Sequence, residues 1–181
     1  MPNELDFPYT KERLLRLLDS LDISYQLAEH DAVYNSVEAD AVTDALPGFR
    51  AKNLFLANAD KSRFYLYQCD ENRRVNLKQL ANLLPDSRLQ FADESFLEAH
   101  LGITRGAVTI FGLVNDRQGA VTAVLEKEVL EADQILLHPL VNTATVVIDQ
   151  QGLRKFLYYA GRPVRVFDPD QNRIESMDAP A

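Results

Sequence analysis

A single cysteine, Cys69, stands in a chain of 181 residues. One thiol excludes an intramolecular disulfide, and three scattered histidines, His30, His100 and His138, offer no clustered ligands for a structural zinc site. No metal is expected. No run approaches the ~20 apolar residues of a membrane-spanning helix, and Met1 to Tyr9 shows no basic region followed by an apolar stretch. The expected location is cytoplasmic, with no membrane partner. Neither G-x-G-x-x-G nor a Walker loop occurs, so dinucleotide and P-loop chemistry lose their sequence support.

Positive charge is also scarce. Nineteen Lys and Arg face 27 Asp and Glu, for a net charge of -8. Each phosphate contact needs a cation, so this balance argues against broad nucleic-acid binding, DNA included. It permits a local basic pocket that grips one end of an RNA. The 46% hydrophobic and 25% charged residues place the chain among globular proteins. Its length suits one domain, read as 1–170 with a polar tail at 171–181.

Thr10 is a plausible N-cap for an amphipathic helix through Leu14, Leu15, Leu17, Leu18 and Leu21. Ser24 to His30 reads as a short strand, and Ser36 as the cap of a second helix through Val37, Val42 and Ala45 that stops at Pro47-Gly48. Asn53 to Asn58 and Arg63 to Cys69 form a hairpin around Ala59 to Ser62. Asn76 and Asp93 cap two further helices, the second ending at Gly102. Strands are expected at Ala107 to Val114, Ala120 to Leu125, Gln134 to Leu137 and Thr143 to Ile148. A last helix over Gln151 to Tyr159 precedes an edge strand, Val164 to Phe167. Without strict strand-helix alternation the fold class is mixed α/β, of the α+β kind: a central mixed sheet flanked by helices.

Three places carry chemistry. Lys52 follows Gly48-Phe49-Arg50-Ala51 and opens a strand, so a sheet fixes its ammonium where a phosphate could be met, with Arg50 close by. An exposed lysine at a strand entrance has the same pattern. His138 precedes Pro139, and Asn142, Thr143 and Thr145 follow as polar neighbours of a pocket rim. A structural turn histidine reads alike. Gly102 and Gly106 bracket Ile103-Thr104-Arg105, where main-chain N–H groups could face a carbonyl oxygen. A helix C-cap followed by a tight turn is the plainer account. Cys69 reads as packing, and His30 and His100 receive no role.

Taken in order, Gly48-Phe49-Arg50-Ala51-Lys52-Asn53-Leu54-Phe55-Leu56, Arg74 to Lys78, Leu101-Gly102, Gly106 to Thr109, Phe111 to Asp116 and His138 to Thr145 resemble a family. It is that of the YbaK and prolyl-tRNA synthetase-associated editing domains, in its freestanding ProX-type (PrdX) branch, over about Thr10 to Gly161. The resemblance implies a curved central sheet and hydrolysis of the ester joining an amino acid to the terminal adenosine of tRNA. The typical substrate of the branch is alanyl-tRNA for proline. Related branches clear cysteine, serine or threonine. The resemblance also implies that Lys52 contacts the terminal phosphate and His138 belongs to the editing pocket, with Asn53 and Asn142 beside them. No cofactor is implied. The expected partner is the 3′ acceptor end of an aminoacylated tRNA, with prolyl-tRNA synthetase or an elongation factor as a further candidate partner.

One departure stands out: many family members have Gly-x-x-x-Pro where this chain has Gly106-Ala107-Val108-Thr109-Ile110. The change frees φ and restores an N–H, which bears on the loop shaping the pocket. In the expected mechanism the substrate's 2′-hydroxyl helps water attack. Lys52 anchors phosphate, His138 orients ribose or ester, and N–H groups near Gly106 stabilise the oxyanion. Val108, Ile110, Phe111 and Leu113 are expected to wall the aminoacyl pocket. A non-catalytic binder of the same fold, motivated by Ile110, and a small protein that docks on a synthetase are the competing readings.

Overall fold

The computed structural model describes residues 7–32, 45–86 and 88–177. The expected helix from Ser36 through Val37, Val42 and Ala45 lies outside them up to residue 44, and Ala45 stands in a turn. Helix α1 (Lys11–Ser20) starts where the Thr10 hydroxyl accepts from the Arg13 N–H, and its leucine stripe buries Leu14 and Leu18 completely. Strands β1 (Tyr25–Glu29), β2 (Phe49–Asn58) and β3 (Phe64–Asp70) follow. Asn76 caps α2 (Leu77–Leu83), its side chain accepting from Gln79 N–H at 3.1 Å. Next come β4 (Leu89–Phe91) and α3 (Glu94–Leu101), which ends at Gly102 with φ 62°. Beyond them lie β5 (Val121–Glu126), α4 (Lys127–Glu131), β6 (Gln134–Leu137), β7 (Ala144–Asp149), α5 (Gln150–Ala160), β8 (Val164–Asp168) and β9 (Arg173–Ser176).

The strands form one mixed sheet in the order β1-β7-β6-β2-β3-β5-β8-β9, with β4 paired to β2 off this path. Hydrophobic residues pack on both faces. Phe111 and Phe156 meet edge to face on one side, with ring centroids 4.8 Å apart. Tyr67, Cys69 and Leu80 pack on the other.

Two expectations change. The run read as a strand over Ala107 to Val114 folds instead into a 3-10 helix, Ile110–Asn115, whose N-cap Thr109 accepts from the Phe111 N–H. A short apolar run without strict alternation fits a buried helical turn as well as a strand. Val164 to Phe167 is not an edge either, because residues 173–176 of the expected tail pair with it as β9.

β2 positions the site. It pairs with β3 from Ala51 to Ala57, but its other side is shared. Parallel β6 covers only Phe49 and Arg50, and antiparallel β4 only Leu56 to Asn58. Between them the sheet has a gap alongside residues 51–55.

Candidate active site

A cleft of about 400 Å³ opens at that gap. Its walls are Ala51 to Phe55 of β2, Phe91 and Ala92 at the end of β4, Glu94 and Leu97 of α3, Arg105, Gly106 and Val108 of the following turn, and His138 beyond β6. A smaller lobe of about 90 Å³ adjoins it, lined by Arg50, Glu71 and Thr145 among others, with Ala51, Asn53 and His138 common to both. The larger lobe has the size of small-ligand sites. Size alone does not choose it, because a groove of about 400 Å³ beside Arg162 and Arg165 holds none of the candidate residues. The chemistry of its lining does.

Lys52 stands opposite Cys69 in the β2–β3 register. Its ammonium donates to the main-chain carbonyl of Glu71 at 3.1 Å and to that of Arg73. An ammonium has three protons to donate, so one stays available to a ligand. The Arg73 loop is anchored in turn: its guanidinium lies 2.5 Å from Glu126 and 2.5 Å from Glu128, and Tyr67 donates its hydroxyl proton to Glu126. Burial pushes the Glu126 carboxyl up to about 7, against the Tyr67 hydrogen bond and the Arg73 charge, which pull it down.

Asn53 faces the gap through its main chain. The Arg50 carbonyl accepts from Glu71 on the β3 side, and the Phe55 carbonyl accepts from Ala92 on the other. The two-residue repeat therefore turns the N–H and C=O of Asn53 toward the gap, in neither β6 nor β4 register. Its side-chain Oδ1 is buried without a protein partner. A buried acceptor left unpaired is costly, and a donor from a ligand would relieve it.

His138 Nδ1 lies 3.0 Å from the Ala144 carbonyl, so that nitrogen carries the proton and donates. Nε2 then holds the lone pair when the ring is neutral. Burial holds the imidazole below its ordinary range; the Ala144 bond opposes this and nearby His30 adds to it. The His30 and His138 rings are 6.4 Å apart. His30 Nδ1 donates to the Asp31 carbonyl at 2.8 Å, and its Nε2 is 3.0 Å from the Thr145 hydroxyl.

Three consecutive N–H groups in the glycine turn have different fates. Arg105 N–H donates to Glu94 Oε1 at 3.3 Å and Ala107 N–H to the Thr104 carbonyl at 3.1 Å. Among the described residues, the Gly106 N–H between them has no partner. At φ 91° Gly106 occupies a conformation that L side chains rarely adopt, and a Cβ there would come within 3.4 Å of Asn142 Nδ2.

The structure thus gathers Lys52, Asn53, Gly106, Val108 and His138 around one cleft, puts Arg50 in the adjoining lobe and sets Asn142 against Gly106. Ile110, Phe111 and Leu113 are corrections. All three lie in the 3-10 helix, are fully buried in the core and line neither lobe. Thr143 is exposed and meets His30 through its main-chain carbonyl, at 3.0 Å, rather than lining the cleft. Residue patterning missed Phe91, Glu94, Leu97 and Arg105. Arg105 sat beside Gly106 in sequence, which was the one available signal.

The sheet gap bearing this lysine, histidine and glycine turn is the candidate active site, and comparison with known proteins gives the class as aminoacyl-tRNA deacylase. The model of the aminoacyl-tRNA editing domain matches residues 30–156, and the chain belongs to that family. It is 33% identical over 158 residues to the prolyl-tRNA editing protein ProX of Acetoanaerobium sticklandii, covering 87% of this chain and 96% of the relative. It is 34% identical over 155 residues to the prolyl-tRNA synthetase associated domain-containing protein 1 of Xenopus laevis, covering 83% and 92%. A crystal structure described as a candidate trans-editing enzyme for prolyl tRNA synthetase superposes with a TM-score of 0.63 at 18% identity, over 85% of this chain and 94% of that one. That likeness speaks to the fold.

Proposed function

We propose that this protein acts in trans on mischarged tRNA and that its substrate is alanyl-tRNA for proline. The observation that carries the reading is the meeting of Lys52, Gly106 and His138, from three distant parts of the chain, around one cleft. The name of the Acetoanaerobium relative, a prolyl-tRNA editing protein, supports the same direction.

In this reading the neutral Nε2 of His138 accepts a hydrogen bond from the terminal ribose hydroxyl or the attacking water. The Gly106 N–H donates to the oxygen that gains charge as water adds to the ester carbonyl. Lys52 supplies its remaining proton to the terminal phosphate, and Arg105 meets the RNA at the rim. Among the described residues the Arg105 guanidinium has no partner of its own. Phe91, 64% exposed at the lip, offers its ring to the terminal base. Phe55, Ala92, Leu97 and Val108 wall the space for a small side chain. A missing methylene gives a synthetase only about 1–3 kcal/mol of discrimination, which is why a second, tighter pocket is useful.

The non-catalytic alternative rests on Ile110, and Ile110 lies in the core away from the cleft. Deacylation of Ala-, Ser-, Thr-, Cys- and Pro-tRNA tests the proposal: Ala-tRNA is cleaved fastest and Pro-tRNA is spared. Unchanged rates in both Lys52→Ala and His138→Ala would overturn the assigned roles.

A further inference from the structure

We infer that Glu94 is a recognition site for the free α-ammonium of the aminoacyl ester, so that the cleft selects substrates whose amino group is unblocked. The inference rests on the deacylase reading and adds a chemical requirement to it. Glu94 is the single carboxylate among the described residues that line the larger lobe; the charged side chains it joins there are Lys52 and Arg105, with His138 neutral. A substrate that carried only phosphate would be met by cations. An aminoacyl nucleotide also brings a cation of its own, and a cleft that accepts it needs an anion.

Position supports the assignment. In an α-amino ester the nitrogen sits two bonds from the reacting carbonyl carbon, about 2.5 Å away by standard dimensions. Whatever reads the amine must therefore lie beside whatever reads the carbonyl. Glu94 Oε1 accepts from the N–H of Arg105, which directly precedes Gly106, whose N–H is the free donor for the oxyanion. That bond ties the carboxylate to the glycine turn and leaves Oε2 for a ligand. Asn53 provides a second acceptor in the same lobe, a buried Oδ1 with no protein partner. A carboxylate and an amide oxygen together can receive two of the three ammonium protons.

Glu94 also begins α3, where a negative charge suits the helix N-terminus, so loss of charge alone must be separated from loss of ligand contact. Glu94→Gln keeps an Oε1 acceptor for the Arg105 N–H but loses the helix-terminus charge for every substrate alike, so the comparison of two substrates makes the separation. The experiment compares wild type and Glu94→Gln on alanyl-tRNA and on lactyl-tRNA, in which a hydroxyl replaces the ammonium with little change of size. Each rate is corrected for spontaneous hydrolysis. The expected result is a fall in kcat/KM of about tenfold on alanyl-tRNA, the scale of one charge-assisted hydrogen bond, and less than twofold on lactyl-tRNA. Equal falls on both substrates, or none on either, would overturn the ammonium site while leaving the deacylase reading intact. A wild-type protein that accelerates neither would sink the deacylase reading, and this inference with it.

Discussion

His138 Nδ1 donates to the Ala144 carbonyl at 3.0 Å, closing the loop between β6 and β7 and fixing which ring nitrogen is protonated. The neutral ring is the form with an acceptor at Nε2, and burial keeps it neutral to a pH below the ordinary imidazole value of about 6.5. We expect kcat/KM on alanyl-tRNA to be flat near pH 7 and to fall only as pH drops through an inflection below that value. His138→Ala should lose about 100-fold and the inflection with it. The unfolded chain takes up this proton more readily than the native one, so acid also weakens the fold, and circular dichroism should establish the folded fraction at each pH. An inflection at or above 6.5, or one that survives in the variant, contradicts the assignment.

The rim residues Phe91 and Arg105 should act on binding rather than chemistry. Stacking of one base on an aromatic ring is worth about 1–3 kcal/mol, so Phe91→Ala should raise KM by about 5- to 150-fold with kcat nearly unchanged. Arg105→Ala should raise KM at low salt and reduce the slope of log KM against log salt by about 0.7, the value for one lost contact to a single strand. Steady-state deacylation across a salt series reads both. A fall in kcat alone would place these side chains in the reacting centre instead.

Much of the fold was legible because its cues are local. The Asn76 cap, the hairpin around residues 59–62 and the leucine stripe of α1 depend on neighbours within a few residues, and each stands where it was expected. The cleft is a different kind of feature. It exists because β6 and β4 meet β2 at different heights, and no spacing in the sequence records where two strands stop pairing with a third. Lys52 and His138 stood out at a strand entrance and a His-Pro turn, where plainer structural readings were equally open, and the family resemblance supplied their roles. Glu94 and Phe91, on the segment that the β4 pairing brings to the gap, were not reached at all. Phe111 failed for a different reason: a buried 3-10 turn and a buried strand both read as short apolar runs.

Arg73 and Glu126 should govern stability in a pH-dependent way. The carboxylate is fully buried, and removing the guanidinium 2.5 Å away leaves its charge without compensation, a loss of about 3–5 kcal/mol. Glu126 binds its proton more tightly in the folded than in the unfolded state, so its contribution weakens as pH rises from the unfolded carboxylate range through about 7. Arg73→Ala removes the charge that pulled this carboxyl down. The variant should therefore be much less stable than wild type at pH 8 and closer to it at pH 5. Urea melts at the two pH values decide the matter; an equal difference at both would mean that Glu126 does not titrate in this window.

Ile110 supplies a test of whether the departure from Gly-x-x-x-Pro touches function. It is the first residue of the 3-10 helix, where an N–H has no acceptor within the helix and proline is well tolerated. The preceding Thr109 is already extended, at φ -152° and ψ 151°, the region that a following proline requires. Ile110→Pro should therefore cost only the lost packing of a smaller side chain, about 1 kcal/mol, well short of the roughly 3 kcal/mol of a proline in a helix interior. Because Ile110 is in the core and Val108 is the member of this run that lines the cleft, the order of rates on Ala-, Ser-, Thr-, Cys- and Pro-tRNA should not change. A reordered panel in a stably folded variant would show that the turn transmits its shape to the pocket, and that the proline position sets specificity after all.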